Sequence, residues 1–144
     1  MQISTKGRYA LRAMIDLGLH MDQAPVLRKD IAERQEISLH YIAQLFVELR
    51  KAGLIESVKG PGGGYVLAQD ADKIRVGDII RAVEGPIALV QCVGPNPEDA
   101  CQRMDGCAAY LLWKRLSETI EEVLDSVTLK ALCDQAGGFA GAKD

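Results

Sequence analysis

Apolar residues in the first third of the chain recur at helical spacing. In "RYALRAMIDLGLHM", Tyr9, Ala10, Ala13, Met14, Leu17 and Met21 fall three and four apart, which predicts an amphipathic helix over 8–21. Pro25 lies just past it and opens a loop. "LRKDIAERQEIS" predicts a short helix buried through Leu27, Ile31 and Ala32. Ile37 then precedes Ser38, whose hydroxyl suits a helix N-cap. From there "SLHYIAQLFVELRKAG" puts Leu39, Ile42, Leu45, Phe46 and Leu49 on one side, and Gly53 stands where a helix end favours positive φ. The opposite side carries His40, Tyr41, Gln44 and Lys51, with Ala43 and Val47 between them.

After Gly53 the pattern becomes that of strands. "LIESV" and "YVLA" flank Lys59 and the run Gly60, Pro61, Gly62, Gly63, Gly64, and read as a hairpin with a glycine-rich turn. Two short helices, the second longer, followed by a hairpin are the layout of a winged helix-turn-helix. The turn between the helices contains Gln35 and Glu36 where Gly is common, so it must close without one. A nucleotide phosphate loop is the competing reading of the glycines. It lacks G-x-x-x-x-G-K-[ST], and no helix opens after it to face a phosphate. Gln44 can pair with adenine, and hydroxyls and imidazoles can bond to phosphates or bases. The plain alternative for that face is a solvated helix surface.

In the back half, Ala109, Leu112, Leu116, Ile120, Val123 and Val127 form a stripe along "AAYLLWKRLSETIEEVLDSVTL", with Trp113 alongside. So long an apolar face exceeds what a small head can cover. It predicts a two-fold dimer helix, an intramolecular core helix being the alternative. "TLKALCDQ" predicts a short terminal helix in which Cys133 packs beside Leu129 and Leu132, and "AGGFAGAKD" a frayed tail. The organisation expected is a DNA-binding head over 1–84, a cysteine-bearing loop over 85–107, a dimer helix with its short successor over 108–135, and a flexible tail over 136–144. The fold class is mainly α with a small β-hairpin.

Charge modifies this picture mildly. The net charge of −3 by itself disfavours a nucleic-acid partner, but residues 1–66 carry nine Lys/Arg against seven Asp/Glu, and residues 67–144 eight against thirteen. A basic front and an acidic back suggest a division of labour. No apolar run reaches the roughly 20 residues needed to span a bilayer, and the N-terminus has no secretory pattern. A cytoplasmic protein without a membrane role is therefore expected, with its four cysteines reduced. Cys92, Cys101 and Cys107 lie in the Pro/Gly/Asn-rich stretch "CVGPNPEDACQRMDGC". Such thiols could hold zinc or an iron–sulfur cluster, form a Cys101–Cys107 redox pair, or be unrelated. A cysteine-dependent enzyme would need a base near a thiol. Only His20 and His40 exist, one at a helix end and one on the proposed DNA face, so no enzyme is expected.

"ISTKGRYALRAMIDLGLH", "ISLHYIAQLFVELRKAGLIESVKGPGGGYVLAQD" and "VGDIIRAVEG" resemble the winged-helix regulators of the Rrf2 family, and the likeness runs from Met1 to about Leu132. The resemblance implies a homodimer on a palindromic operator, the helix from Ser38 in the major groove and the hairpin in the minor groove. It implies DNA contacts from Ser38, His40, Tyr41, Gln44, Lys59 and the wing residues Gly60 to Gly64, with Arg28 and Lys29 assisting. Cluster-binding members carry three cysteines before a long helix, which implies an iron–sulfur cluster on Cys92, Cys101 and Cys107, [2Fe–2S] before [4Fe–4S]. Here the interval from Cys92 to Cys101 is longer than expected, and Tyr110 stands where such a member has His. Some relatives borrow an acid from the partner's first helix, where this chain has Arg8 and Arg12. Asp99 and Asp105 are nearby oxygen candidates. The alternative is a DNA-binding regulator of the same family without a cluster, with thiol redox chemistry, zinc or a partner protein as its signal.

Overall fold

The computed structural model describes residues 2–96 and 100–142, the last three through their backbone alone. Helix α1 (Thr5–Leu19) starts three residues earlier than the apolar period suggests, because Ser4 caps it and accepts the Gly7 N–H at 3.2 Å. Its inner face, Ala10, Ala13, Met14 and Leu17, is fully buried and forms the middle of the core. Around it stand α2 (Arg28–Gln35), α3 (Leu39–Lys51), the hairpin β1 (Ile55–Val58) and β2 (Gly64–Leu67), and α4 (Val76–Glu84). Ile31, Ile42, Leu45, Phe46, Leu49, Ile55, Ile74 and Ile79 extend the core around it. Burying each such side chain is worth about 1.5–3 kcal/mol, so this cluster is the main source of the head's stability.

Two predicted inward positions face solvent instead. Leu27 and Leu39 are each 49% exposed. Both precede or open their helices, where the chain is still turning outward, so the helical period does not yet govern them. The turn between α2 and α3 closes as required without glycine: Glu36 adopts the left-handed conformation, φ 55°, and its N–H bonds to the Ala32 and Glu33 carbonyls. That conformation costs a non-glycine residue about 1–2 kcal/mol. Glu36→Gly is therefore expected to stabilise the fold by about 0.5–1 kcal/mol, the greater freedom of Gly when unfolded taking back part of the gain. Urea unfolding measures this, and a lower midpoint for the variant would contradict it.

Strands β1 and β2 pair antiparallel, with Ile55 opposite Leu67 and Val58 opposite Gly64. The hairpin is tied down by a further rung. Val26 N–H bonds to the Tyr65 carbonyl at 2.9 Å and Tyr65 N–H to the Val26 carbonyl at 2.7 Å. Phe46 of α3 meets the Tyr65 ring edge-on at 4.9 Å. The wing is thereby held against the start of α2 and the middle of α3.

Helix α5 (Ala108–Ser126) packs on α4 through one side only, and α6 (Leu129–Ala142) returns to α1. Leu129 is fully buried and Cys133 9% exposed, within the same core as α1. Burial pushes the Cys133 thiol pKa up, and its sulfur lies 3.7 Å from the Ile15 carbonyl, consistent with packing rather than ligation. The terminal helix is longer than predicted. It continues to Ala142, through the stretch for which the glycine-rich sequence suggests a flexible tail, and part of it belongs to the head.

Candidate nucleic-acid interface and thiol loop

Ser38 caps α3 as predicted, accepting the Tyr41 N–H at 3.1 Å. Ile42, Leu45, Phe46 and Leu49 anchor the helix, and His40, Gln44, Val47 and Lys51 are left exposed. His40 and Gln44, one turn apart, are joined by a 3.1 Å contact between Nε2 atoms. Tyr41 does not share this open face. It is half-buried and meets Tyr9 of α1 edge-on, ring centroids 5.6 Å apart, so its ring is steered to one flank. Gly53, at φ 76°, ends α3 as predicted.

Arg28 and Lys29 begin α2 and are exposed. The Arg28 guanidinium lies 5.7 Å over the Tyr65 ring. Lys59, Gly60, Pro61 and Gly62 form the exposed tip of the wing, while Gly63 and Gly64 lie closer to the body. A hollow of about 560 Å³ separates the wing from the start of α2, lined by Leu27, Arg28, Asp30, Val58 and Tyr65. Of the predicted residues, Arg28 of α2 and Gly60, Gly62, Gly63 and Gly64 of the wing thus face one hollow.

One residue that holds this surface together is not apparent from periodicity. Asp16 is 2% exposed yet carries a charge among apolar neighbours. Arg34 donates to it from Nη2 at 2.7 Å and from Nε at 3.0 Å, and Gln35 Nε2 donates at 2.9 Å. These bonds fasten α1 to the last turn of α2, just before the strained Glu36. A lone carboxylate beside Ala13 and Leu17 on a core face was the available signal, since a buried charge requires a partner.

The thiol loop follows α4. Cys92 sits half-buried in a short turn, Gln91–Val93, and Cys101 is exposed. Cys107 is the N-cap of α5, its sulfur accepting the Tyr110 N–H at 3.4 Å. The Cys101 sulfur accepts the Arg103 N–H at 3.4 Å. A cavity of about 270 Å³ is lined by Cys92, Met104, Tyr110, Lys114, Glu118 and Glu121, but not by the other two cysteines. Among the described residues no three His, Cys, Asp or Glu side chains gather closely enough to hold a metal ion. The donor chemistry suits a cluster in type, three soft thiols, but not in arrangement, and Tyr110 offers no imidazole. Asp105 is exposed and belongs to no such group of three; Asp99 lies outside the described residues.

Below the loop, Arg81 of α4 bonds to Asp125 of α5 at 2.6 Å and lies 3.7 Å from Glu121. That hydrogen bond holds the Asp125 carboxyl below its ordinary range, and the Ser117 hydroxyl accepts the Leu89 N–H at 3.0 Å. These contacts occupy the inner side of α5. On its other side Leu112 is 51%, Leu116 37% and Val123 57% exposed, while Ile120 and Val127 are half-buried.

A comparison with known families gives one match across nearly all of this architecture: Rrf2, described as an iron-dependent transcriptional regulator, over residues 3–135. The chain belongs to the Rrf2 family. It is 48% identical over 132 residues to the HTH-type transcriptional regulator IscR of Serratia proteamaculans (strain 568), covering 92% of this chain and 79% of that protein. The solved T. potens IscR superposes with a TM-score of 0.78 at 42% identity, covering 94% of this chain and 88% of that one. CymR, the global cysteine regulator of B. subtilis, gives 0.76 at 41% identity, covering 94% and 98%. This Rrf2 protein is a winged-helix DNA-binding regulator of transcription, and the enzyme reading falls with that. Among the described residues no helix of this Rrf2 chain is long and apolar enough to cross a membrane.

Proposed function

We propose that this Rrf2 regulator acts as a homodimer on a palindromic operator and that the state of its thiol loop sets its affinity for DNA. The observation that supports this best is the pairing, within one short chain, of an open α3 face beside a wing with an apolar stripe on α5 that its own head leaves uncovered. A two-fold dimer would cover the stripe. It would also hold two α3 helices about 34–36 Å apart, the spacing of successive major grooves.

In this reading Ser38, His40 and Gln44 reach base edges or phosphates from the first two turns of α3, and Gln44 offers the amide suited to adenine. Tyr41 serves from the α1 flank. Lys59 and the backbone from Gly60 to Gly64 follow the minor groove, and Arg28 and Lys29 meet phosphates beside the wing. Cys92, Cys101 and Cys107 would hold an iron–sulfur cluster, taken as [2Fe–2S] from the family resemblance, which when bound supplies a redox-active iron centre. For that the loop must bring its three thiols together. Cys107 caps α5, so a change in the loop's course arrives at the start of that helix. Arg81, Asp125 and Glu121 then link α5 to the head. A few kcal/mol of difference between two loop arrangements suffices to shift the population of DNA-competent dimers.

A second reading is favoured by the separation of the three thiols and by the similarity to CymR. The same dimer would respond through thiol oxidation without a cluster, Cys101 and Cys107 forming the disulfide. Preparation without oxygen separates the two. The first reading expects iron and acid-labile sulfide in the native chain, visible absorption, and loss of both in the triple variant Cys92→Ala, Cys101→Ala, Cys107→Ala. It fails if reconstituted protein holds neither iron nor sulfide. DNA affinity that then still responds to a thiol oxidant would establish the second.

A further inference from the structure

The open face of α3 has two flanks. Tyr41 and Glu48 point toward α1, where they meet Tyr9 and Lys6. Phe46 and Arg50 point toward the wing, where they meet Tyr65 and Ser57. At about 100° per residue these flanks lie nearly opposite each other around the helix, and His40, Gln44, Val47 and Lys51 lie between them. The wing flank carries the exposed cations Arg28, Lys29 and Lys59.

The α1 flank carries two more. Arg8 and Arg12, one helical turn apart, place their guanidinium carbons 5.8 and 5.3 Å from the centroid of the Tyr9 ring. Tyr9 in turn meets Tyr41 in the first turn of α3. Arg8 donates to the Thr5 hydroxyl at 3.1 Å; Arg12 donates to the Gln35 side chain at 3.3 Å and to its carbonyl. Among the described residues neither pairs with a carboxylate, whereas Lys6 and Arg34 nearby are neutralised by Glu48 and Asp16. Stacking and neutral acceptors orient the two guanidinium groups and leave their charge uncompensated. An oriented fork loses less side-chain entropy on meeting a phosphate than a free lysine does.

A major groove about 12 Å wide is bordered by two rows of phosphates. We infer that Arg8 and Arg12 grip the row on the far side of the groove from the wing, so that α3 is straddled by a cationic rim on each flank. This rests on α3 being the helix that enters the groove. Such contacts set register without reading bases, and their signature is therefore salt dependence rather than altered sequence preference.

The test uses the full chain and a labelled random-sequence duplex of roughly three helical turns, long enough for two half-sites, titrated by anisotropy between about 50 and 200 mM salt. Removing one cation from a phosphate lowers the slope of log K against log salt by about 0.9. Arg8→Ala is expected to lower it by about that amount per bound chain, Arg8/Arg12→Ala by about twice as much, and Arg8→Lys to retain most of it. Arg8 is the decisive position, because removing it breaks no bond between helices. An unchanged slope in Arg8→Ala and the double variant, beside a reduced slope in Lys29/Lys59→Ala, overturns the inference and leaves the role of α3 intact. An unchanged slope in all of them, or no binding by the native chain, overturns both.

Discussion

Replacing Leu116 and Val123 together by Glu is expected to convert the protein to a monomer and to weaken operator binding by about 100-fold or more, with the head still folded. Both side chains are already exposed within one chain, 37% and 57%. Charging them therefore costs the isolated fold little, within about 1 kcal/mol for surface positions. In the proposed dimer the same positions face each other across the two-fold axis, where four carboxylates without partners cannot be buried. The loss of DNA affinity comes from mass action rather than from damage to α3. Two linked heads hold each other at millimolar effective concentration, and separating them removes an avidity factor of about 10²–10⁴. Sedimentation gives the mass, far-UV circular dichroism the fold, and anisotropy the affinity. A variant that stays dimeric would move the interface off α5. A monomer that keeps full operator affinity would sink the two-headed reading.

What could be seen in the sequence divides according to whether a residue's behaviour is decided by its chain neighbours. Ser38 as a cap, Gly53 as a helix end and the hairpin around Gly60–Gly64 follow from local backbone chemistry, and each stands where expected. The burial of Ile31, Ile42 and Leu49 follows from the helical period. Tertiary contacts were not visible in this way. Periodicity put Leu27 and Leu39 inside, yet both lie at helix starts that point outward. Tyr41 looked like part of the open face until Tyr9, distant in sequence, drew it aside. Glu36 takes a conformation that its residue type disfavours, with Asp16, Arg34 and Gln35 clamping the turn just before it. The return of α6 to α1 through Leu129 and Cys133 has no local signal. In the loop, spacing identified the three thiols, but their mutual arrangement depends on how the chain between them runs.

The wing offers the other large effect. Gly64→Ala is expected to destabilise the head by about 2–3 kcal/mol, a drop of roughly 5–10 °C in Tm for a chain of this size, and to weaken DNA binding by about tenfold or more. A Cβ on Gly64 would lie 2.6 Å from the Val26 carbonyl oxygen and 2.8 Å from its carbon. Both are backbone atoms and cannot swing away as a side chain would. The residue also has φ 156°, a conformation that L side chains rarely adopt. Relief requires the pair of bonds between Val26 and Tyr65 to open, and each such bond is worth about 1 kcal/mol net. Opening them frees the wing from the start of α2 and loosens Tyr65 from Phe46, so the hairpin no longer stands at a set angle to α3. Pro61→Ala at the tip is the control, expected to change stability by no more than about 1 kcal/mol because its side chain is exposed. If Gly64→Ala melts like the native protein, the Val26 rung does not anchor the wing. If it melts lower but binds DNA unchanged, the wing's angle has no part in recognition, and α3 with its flanking cations must account for the affinity.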